Sequence, residues 1–402
     1  MCRLLTSCSK LFPQAECLRL LPAILLSFSL SCPLFSQTAF SNSGQASTLL
    51  QYSESSNNDV WLLRYIPEFS LNQPLGNNAL DVELAFNLYT TSRFNELDRV
   101  NDNAEADLYR FWLRYSASQF EARVGLQKIS FGSSTLLRPL RWFDRVDPRD
   151  PLQITDGVYA ALVRYYFLNN ANIWVWGLIG NDDPKGWDTF SGQESVPEVG
   201  GRIQFPLAHF GELGTSYHFR KIDVEKTLGQ TINQIEFNEN ENKFGADLRL
   251  DYLFGSWIEV AWVRQELELF PFPRQQFITI GADYMLPIGT GVQVIGEHMW
   301  ISYGPKFFEH EETIPLSAAL ANYSYGLFDQ FSIIVSREWD SGTTSRFLRW
   351  GRSYDRWQFF VNGFWNDEAE DQQEMNLLLN SSTNASGQLS GKGLQLLITF
   401  NH

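Results

Sequence analysis

The sequence predicts an all-β chain: a transmembrane antiparallel β-barrel of about eighteen strands, with sixteen as the alternative count. Three observations predict it. Segment after segment alternates apolar and polar side chains, the period of a strand with one face in lipid and one in water. The connections are short at one end of these segments and mostly long at the other. No run of 18 apolar residues follows the first 36 positions, so helices do not supply the crossing. With 44% hydrophobic and 15% aromatic residues among 402, the chain must still place a large apolar surface out of water.

The N-terminus reads as an export signal. Arg3, Lys10 and Arg19 precede an apolar run over 20–30, and Leu34-Phe35-Ser36 puts a small residue before a cut at Gln37. Residues 1–36 are therefore expected to be removed, 37–46 to form a short polar lead, and 47–402 to form the barrel. Cys32 as a lipoprotein acceptor is the alternative, against which Ser29 stands where a Leu is usual. All four cysteines (Cys2, Cys8, Cys17, Cys32) fall in the removed segment, and a large self-closed barrel needs no disulfides. Cleavage takes Arg3, Lys10, Arg19 and Glu16 with it, which moves the net charge from -15 to -17. That balance disfavours nucleic acid, whose binding rests on neutralised phosphates. Acidic surface loops could bind divalent cations that bridge anionic headgroups, or could serve solubility alone.

Alternation places strands running one way at 47–54, 80–89, 120–127, 171–180, 211–220, 257–266, 292–302, 331–339 and 357–366. Their return partners are 60–72, 108–117, 157–167, 199–205, 244–254, 277–286, 317–327, 346–354 and 393–402. Links at one end are short, such as 118–119, 255–256 and 355–356. At the other end lie long ones at 90–107, 128–156, 181–198, 221–243, 303–316 and 367–392, with three shorter ones at 55–59, 267–276 and 340–345. In strand 80–89, Leu80, Val82, Leu84, Phe86 and Leu88 would face lipid, with Asp81, Glu83 and Asn87 in water. Strand 211–220 repeats this with Leu213, Tyr217 and Phe219 against Glu212, Ser216, His218 and Arg220. Lipid exposure requires the sheet to close, because an unpaired backbone group in hydrocarbon costs several kcal/mol.

Aromatic residues gather near strand ends, as interfacial girdles do. Trp257, Trp357, Phe254 and Phe331 flank short turns, while Trp300, Trp339 and Trp365 lie near the opposite connections. Trp174 and Trp176 lie mid-strand on one face and are read as facing lipid, with a lumen platform as the alternative. The last strand carries Leu394, Leu396, Ile398, Phe400 and His402 on one face; a terminal aromatic would be usual, and Asn401 and His402 follow it here.

The hairpin over 120–167 organises the rest. Its first strand separates Phe120, Ala122, Val124 and Leu126 from Glu121, Arg123, Gly125 and Gln127, and an arginine-rich connection follows. In the stretch Arg123-Val124-Gly125-Leu126-Gln127, Phe131-Gly132, Pro139, Asp147-Pro148 and Asp150-Pro151, and in its overall strand plan, the chain resembles Gram-negative outer-membrane porins of the large, roughly eighteen-stranded kind. That group includes substrate-specific porins and alginate-export-like channels. The resemblance implies an outer-membrane channel for passive diffusion of small hydrophilic solutes, such as sugars or organic anions. It implies outer-membrane lipid, lipopolysaccharide and the barrel-assembly machinery as partners, and no cofactor. Alternatives are a polysaccharide export conduit and a barrel-borne surface enzyme or adhesin.

A channel needs a charged constriction more than a catalytic group. Arg138, Arg141, Arg145 and Arg149, set among Asp144, Asp147 and Asp150, are the candidates. Spaced three and four apart, the arginines would share a face on a short helix and draw anions; alternatively each pairs with an aspartate and only shapes the loop. Pro139, Pro148 and Pro151 limit any helix there. Lumen-facing candidates are Arg110, Arg114, Arg123, Arg202, Arg220 and Arg249, set against Asp81, Glu83, Glu121, Glu198 and Asp247. No catalytic or metal-ligating set is expected, since none of His209, His218, His298, His310 and His402 has a zinc-ligand spacing. His218 or His298 beside an Asp is the one arrangement left for a rim enzyme. Glu309-His310-Glu311-Glu312 reads as solvated surface, with cation binding as the alternative.

Overall fold

Alternating side chains in this chain form strands, and the strands close on themselves. The computed structural model describes residues 38–54, 59–95, 98–228, 239–266, 273–367, 389 and 391–402. The expected signal segment 1–36 lies outside them, as do 55–58, 229–238, 267–272 and 368–388 of the expected connections.

The strands are β1 (Ala39–Ser53), β2 (Asp59–Leu75), β3 (Asn78–Asn95), β4 (Asp98–Ser116), β5 (Phe120–Gln127), β6 (Val158–Tyr166), β7 (Asn172–Leu178), β8 (Ser191–Gly192), β9 (Glu198–Leu207) and β10 (Gly211–Asp223). They continue as β11 (Asn240–Asp251), β12 (Gly255–Gln265), β13 (Arg274–Leu286), β14 (Val292–Gly304), β15 (Glu312–Tyr325), β16 (Asp329–Glu338), β17 (Thr344–Ser353), β18 (Trp357–Asn366) and β19 (Lys392–Asn401). A short helix, α1 (Val224–Leu228), follows β10. Eighteen of these strands form one antiparallel ring in chain order, closed where β1 meets β19 from Gln45↔Asn401 to Ser53↔Gly393. β8 stands outside the ring and pairs with the far end of β10.

Each expected strand is present, and β5 and β18 keep the expected bounds. Two of the larger differences have one physical reason. β1 begins at Ala39, so most of the expected lead 37–46 is strand, tied to β19 through Gly44 and His402. The expected connection 90–107 is mostly hairpin, with Tyr89↔Glu105 and Ser92↔Asp102 in register. Both stretches lie at strand ends, where the two faces meet water and the apolar alternation disappears even though the ladder continues.

The outward face is apolar: Leu50 and Tyr52 on β1, Phe111 and Leu113 on β4, Val361 and Trp365 on β18 are exposed. Alternate positions on the same strands, Gln51, Ser53, Arg110, Asn362 and Asn366, are buried. A polar face turned inward and an apolar face turned outward is the arrangement that a bilayer stabilises. The inward face also carries the main apolar cluster, and what it packs against is a connection rather than another sheet.

Candidate functional site

The connection 128–156, between β5 and β6, turns to the inner face of the ring because its own composition leaves it little choice. Ile129, Phe131, Leu136, Leu137, Leu140, Trp142 and Phe143 are all buried, packed with Trp176 of β7, Trp257 and Ala261 of β12, Phe277 of β13 and Met299 of β14. Burying a large apolar side chain is worth about 1.5–3 kcal/mol, so water at the barrel mouth does not hold such a segment.

Two carboxylates fix its first half. Glu259 of β12 accepts the backbone N–H groups of Ser133 (2.7 Å), Ser134 (2.8 Å) and Leu140 (2.7 Å). Glu297 of β14 accepts those of Thr135 (2.6 Å), Leu136 (3.0 Å) and Leu137, and the indole N–H of Trp257 at 3.2 Å. Both carboxyl groups are almost wholly buried, so these donors replace the water that each has lost. Thr279 Oγ1 adds a bond to the Leu137 carbonyl at 2.9 Å. The approach is close enough to demand glycine at two points. Gly132 has φ 105°, and a Cβ there would lie 2.6 Å from Glu259 Oε2; a Cβ on Gly245 of β11 would meet Leu140 Cδ2 at 2.2 Å.

The second half reaches other strands. Arg110 of β4 donates to the Thr155 carbonyl at 2.8 Å, and Arg349 of β17 donates to the Arg149 carbonyl. Leu152 packs against Leu49, Leu62, Phe360 and Leu397, which come from β1, β2, β18 and β19. The connection is thus bonded to β12 and β14 and seated against the strands where the ring closes.

The seven charged candidates of this connection are close together, though not in a row. There is no helix over 128–156, so the four arginines share no helical face. Arg138 makes a two-pronged pair with Asp144 (2.8 and 3.0 Å), and Arg149 pairs with Asp147 (2.9 Å). Asp150 accepts the backbone N–H groups of Leu152 (2.9 Å) and Ile154 (3.0 Å). Arg145 donates to the Pro184 carbonyl. Arg141 lies with its guanidinium 4.7 Å from the Trp187 ring, and burial, then its neighbour Arg138, pushes its pKa down to about 10. Burial pushes the Asp150 carboxyl up despite its two backbone bonds. Burial would do the same to Asp144, but the Arg138 guanidinium holds it below the usual carboxylate range.

A second inward connection, 179–197, was not singled out by the sequence. Trp187 Nε1 donates to the Arg138 carbonyl at 2.7 Å, and Asp188 pairs with Arg220 (2.8 Å) and Lys243. Its signal in the sequence is Trp187 and Phe190, large apolar residues within an otherwise polar connection.

The wall candidates form local pairs. Arg114 meets Asp81 at 2.9 Å, Arg123 meets Glu121 at 3.2 Å, and Arg202 meets Asp247 at 2.6 Å. Arg220 also reaches Glu241 at 2.6 Å, and Arg249 lies between Asp251 (3.0 Å) and Asp283 (3.4 Å). Glu83 is half-buried opposite Trp112 in the β3–β4 register. Glu198 bonds to His218 at 3.0 Å, and Trp176 Nε1 donates to the other ring nitrogen at 3.2 Å, so this histidine is held in the packing beside Trp142 and Phe143. His298 pairs with Ser317 Oγ at 2.7 Å rather than with an aspartate.

Trp174 and Trp176, read as facing lipid, turn inward instead, and Trp257, placed among the girdle aromatics, joins them. Trp176 and Trp257 are buried against the inward connection, and Trp174 packs edge-on to Phe131. Their strands carry Val175 and Ile258 outward instead. An apolar residue on the inner face is stable here because the connection 128–156 covers it.

No protein-family model and no curated protein matches the chain. Solved structures do resemble it. The outer membrane protein OpdK from Pseudomonas aeruginosa aligns with a TM-score of 0.57 at 10% identity, over 90% of this chain and 99% of that one. OccK8 (OprE) from Pseudomonas aeruginosa gives 0.56 at 8% identity over 91% and 98%, and a double variant of OccD1 (OprD) gives 0.56 at 8% over 91% and 96%. At such identities the likeness concerns the fold alone. The chain has the fold of the Gram-negative outer-membrane porins, a closed antiparallel barrel of eighteen strands.

Proposed function

We propose that the barrel is an outer-membrane channel for passive diffusion of small hydrophilic solutes, and that the connection 128–156 narrows its lumen. The observation that carries this reading is the span of that connection: its amides bond to Glu259 and Glu297, while Leu152 sits among residues of β1, β2, β18 and β19. A segment attached at both places takes up space that a water-filled barrel of this strand number would otherwise leave open. The charged groups of the connection set up no field of one sign, since Arg138 pairs with Asp144 and Arg149 with Asp147, and Asp144, Asp147 and Arg149 are buried.

Refolded protein in a planar bilayer tests the reading. Stepwise current is expected; a barrel that inserts and carries none removes the channel.

A further inference from the structure

β4 rises above the neighbour that should cover it. It pairs with β3 along its whole length, but with β5 only from Phe111↔Leu126 to Ser116↔Glu121. Over residues 103–110 its far edge has no strand beside it among the described residues, and residues 103–108 are exposed. Such an edge presents a row of N–H and C=O groups with no ladder partner.

Beside this edge the wall has a notch. A cavity of about 330 Å³ lies between β4, the end of the connection 128–156 and the start of 179–197. Glu105, Asp107, Asp156, Asp182 and Asp183 line it; Lys185 is 3.9 Å from Asp156, Lys226 pairs with Asp182, and Glu105 accepts from Tyr89 and Asn103. Asn87 of β3, only 7% exposed, lines the same cavity, and its Oδ1 has no hydrogen-bond partner. A buried acceptor left unmatched beside an excess of carboxylates calls for donors from outside.

We propose that this notch docks an extended, basic segment of another polypeptide, which adds to the free edge of β4 as a strand and sets its cationic side chains among Glu105, Asp107, Asp156 and Asp183. The acidic groups supply charge complementarity, and they oppose pairing of the same edge with a second copy of itself. A small cation would meet the carboxylates and leave the backbone edge unused; an extended chain meets both. The notch lies at the end of the barrel that carries the long connections, away from Ser116 and Asn401.

The test uses the full barrel in detergent and a labelled octapeptide of alternating lysine and threonine, followed by fluorescence anisotropy. Binding is expected, and a peptide N-methylated at alternate residues should bind at least about tenfold more weakly, because it cannot complete the ladder. The double variant Glu105→Gln, Asp107→Asn should lose a similar factor while keeping the heat-modifiable mobility of the parent; both residues are exposed on the hairpin, so the barrel folds without them. Free lysine amide in excess should fail to displace the peptide. Absence of binding, equal binding of the N-methylated peptide, or displacement by lysine amide would each overturn the proposal. None of these readouts depends on whether the barrel conducts.

Discussion

Leu137 donates its backbone N–H to Glu297, 160 positions further along the chain. With the amides of Thr135 and Leu136 on the same carboxylate, this makes Glu297 a point on the barrel wall to which the inward connection is fixed. Glu259 does the same for Ser133, Ser134 and Leu140.

Removing either carboxylate leaves three amides without an acceptor, two of them buried: Ser134 and Leu140 on Glu259, Leu136 and Leu137 on Glu297. Glu259→Ala or Glu297→Ala should weaken the docking of the connection by roughly 2 kcal/mol or more, at about 1–3 kcal/mol for each buried donor left stranded. The ring of strands should persist. Limited proteolysis is expected to cut within 128–156 in the variants while heat-modifiable mobility stays that of the parent; resistance equal to the parent would contradict the role given to these residues.

Gly132 tests the same contact from the other side. With φ 105° and no room beside Glu259, Gly132→Ala should cost about 1–3 kcal/mol of loop docking through backbone strain and crowding. Denaturant sensitivity of Trp142 fluorescence reports it, and an unchanged midpoint would mean that the close approach is absent.

The seat of Leu152 can be trapped covalently. All four cysteines of the chain lie at or before Cys32, outside the described barrel, so introduced thiols stand alone there. Leu152→Cys combined with Leu49→Cys or Leu397→Cys should form a cross-link under mild oxidation, seen as a mobility change reversed by reductant. No cross-link with either partner would place the tip elsewhere.

Acid should release the connection through Asp144. Arg138 holds this carboxyl below its usual range against the effect of burial, so the pair stabilises the loop fully above the unfolded-state pKa of about 3.9. That contribution is lost as pH falls further, through the lower value of the docked state. Asp150, pushed up by burial, contributes in the opposite sense: its protonation comes first as pH falls and favours docking. The part of the Trp fluorescence change that Asp144→Asn removes should therefore lie below about pH 4.

Much of this molecule was legible in the sequence because lipid imposes period two wherever a strand crosses it. β5 and β18 are examples: Val124 and Val361 point outward, Arg123 and Asn362 do not. Where lipid is absent the signal disappears, so the hairpin of β3 and β4 above Tyr89 reads as a polar connection. The orientation of Trp176 and Trp257 was not legible either, since an inward tryptophan makes sense only beside Phe131 and Trp142, far away in the chain. Glu259 and Glu297 look like ordinary water-compatible wall residues, and nothing local distinguishes a carboxylate that meets water from one that meets three amides. The charged pairs Arg138–Asp144 and Arg149–Asp147 were foreseeable from spacing; which arginine would turn to Trp187 was not.

The most direct measurement is single-channel conductance of the parent beside the double variant Glu259→Ala, Glu297→Ala in the same bilayer. A connection that narrows the lumen, once unfastened, should give a larger and noisier unit current at the same salt. An identical unit current from a correctly folded variant would show that the connection does not set the width of the path.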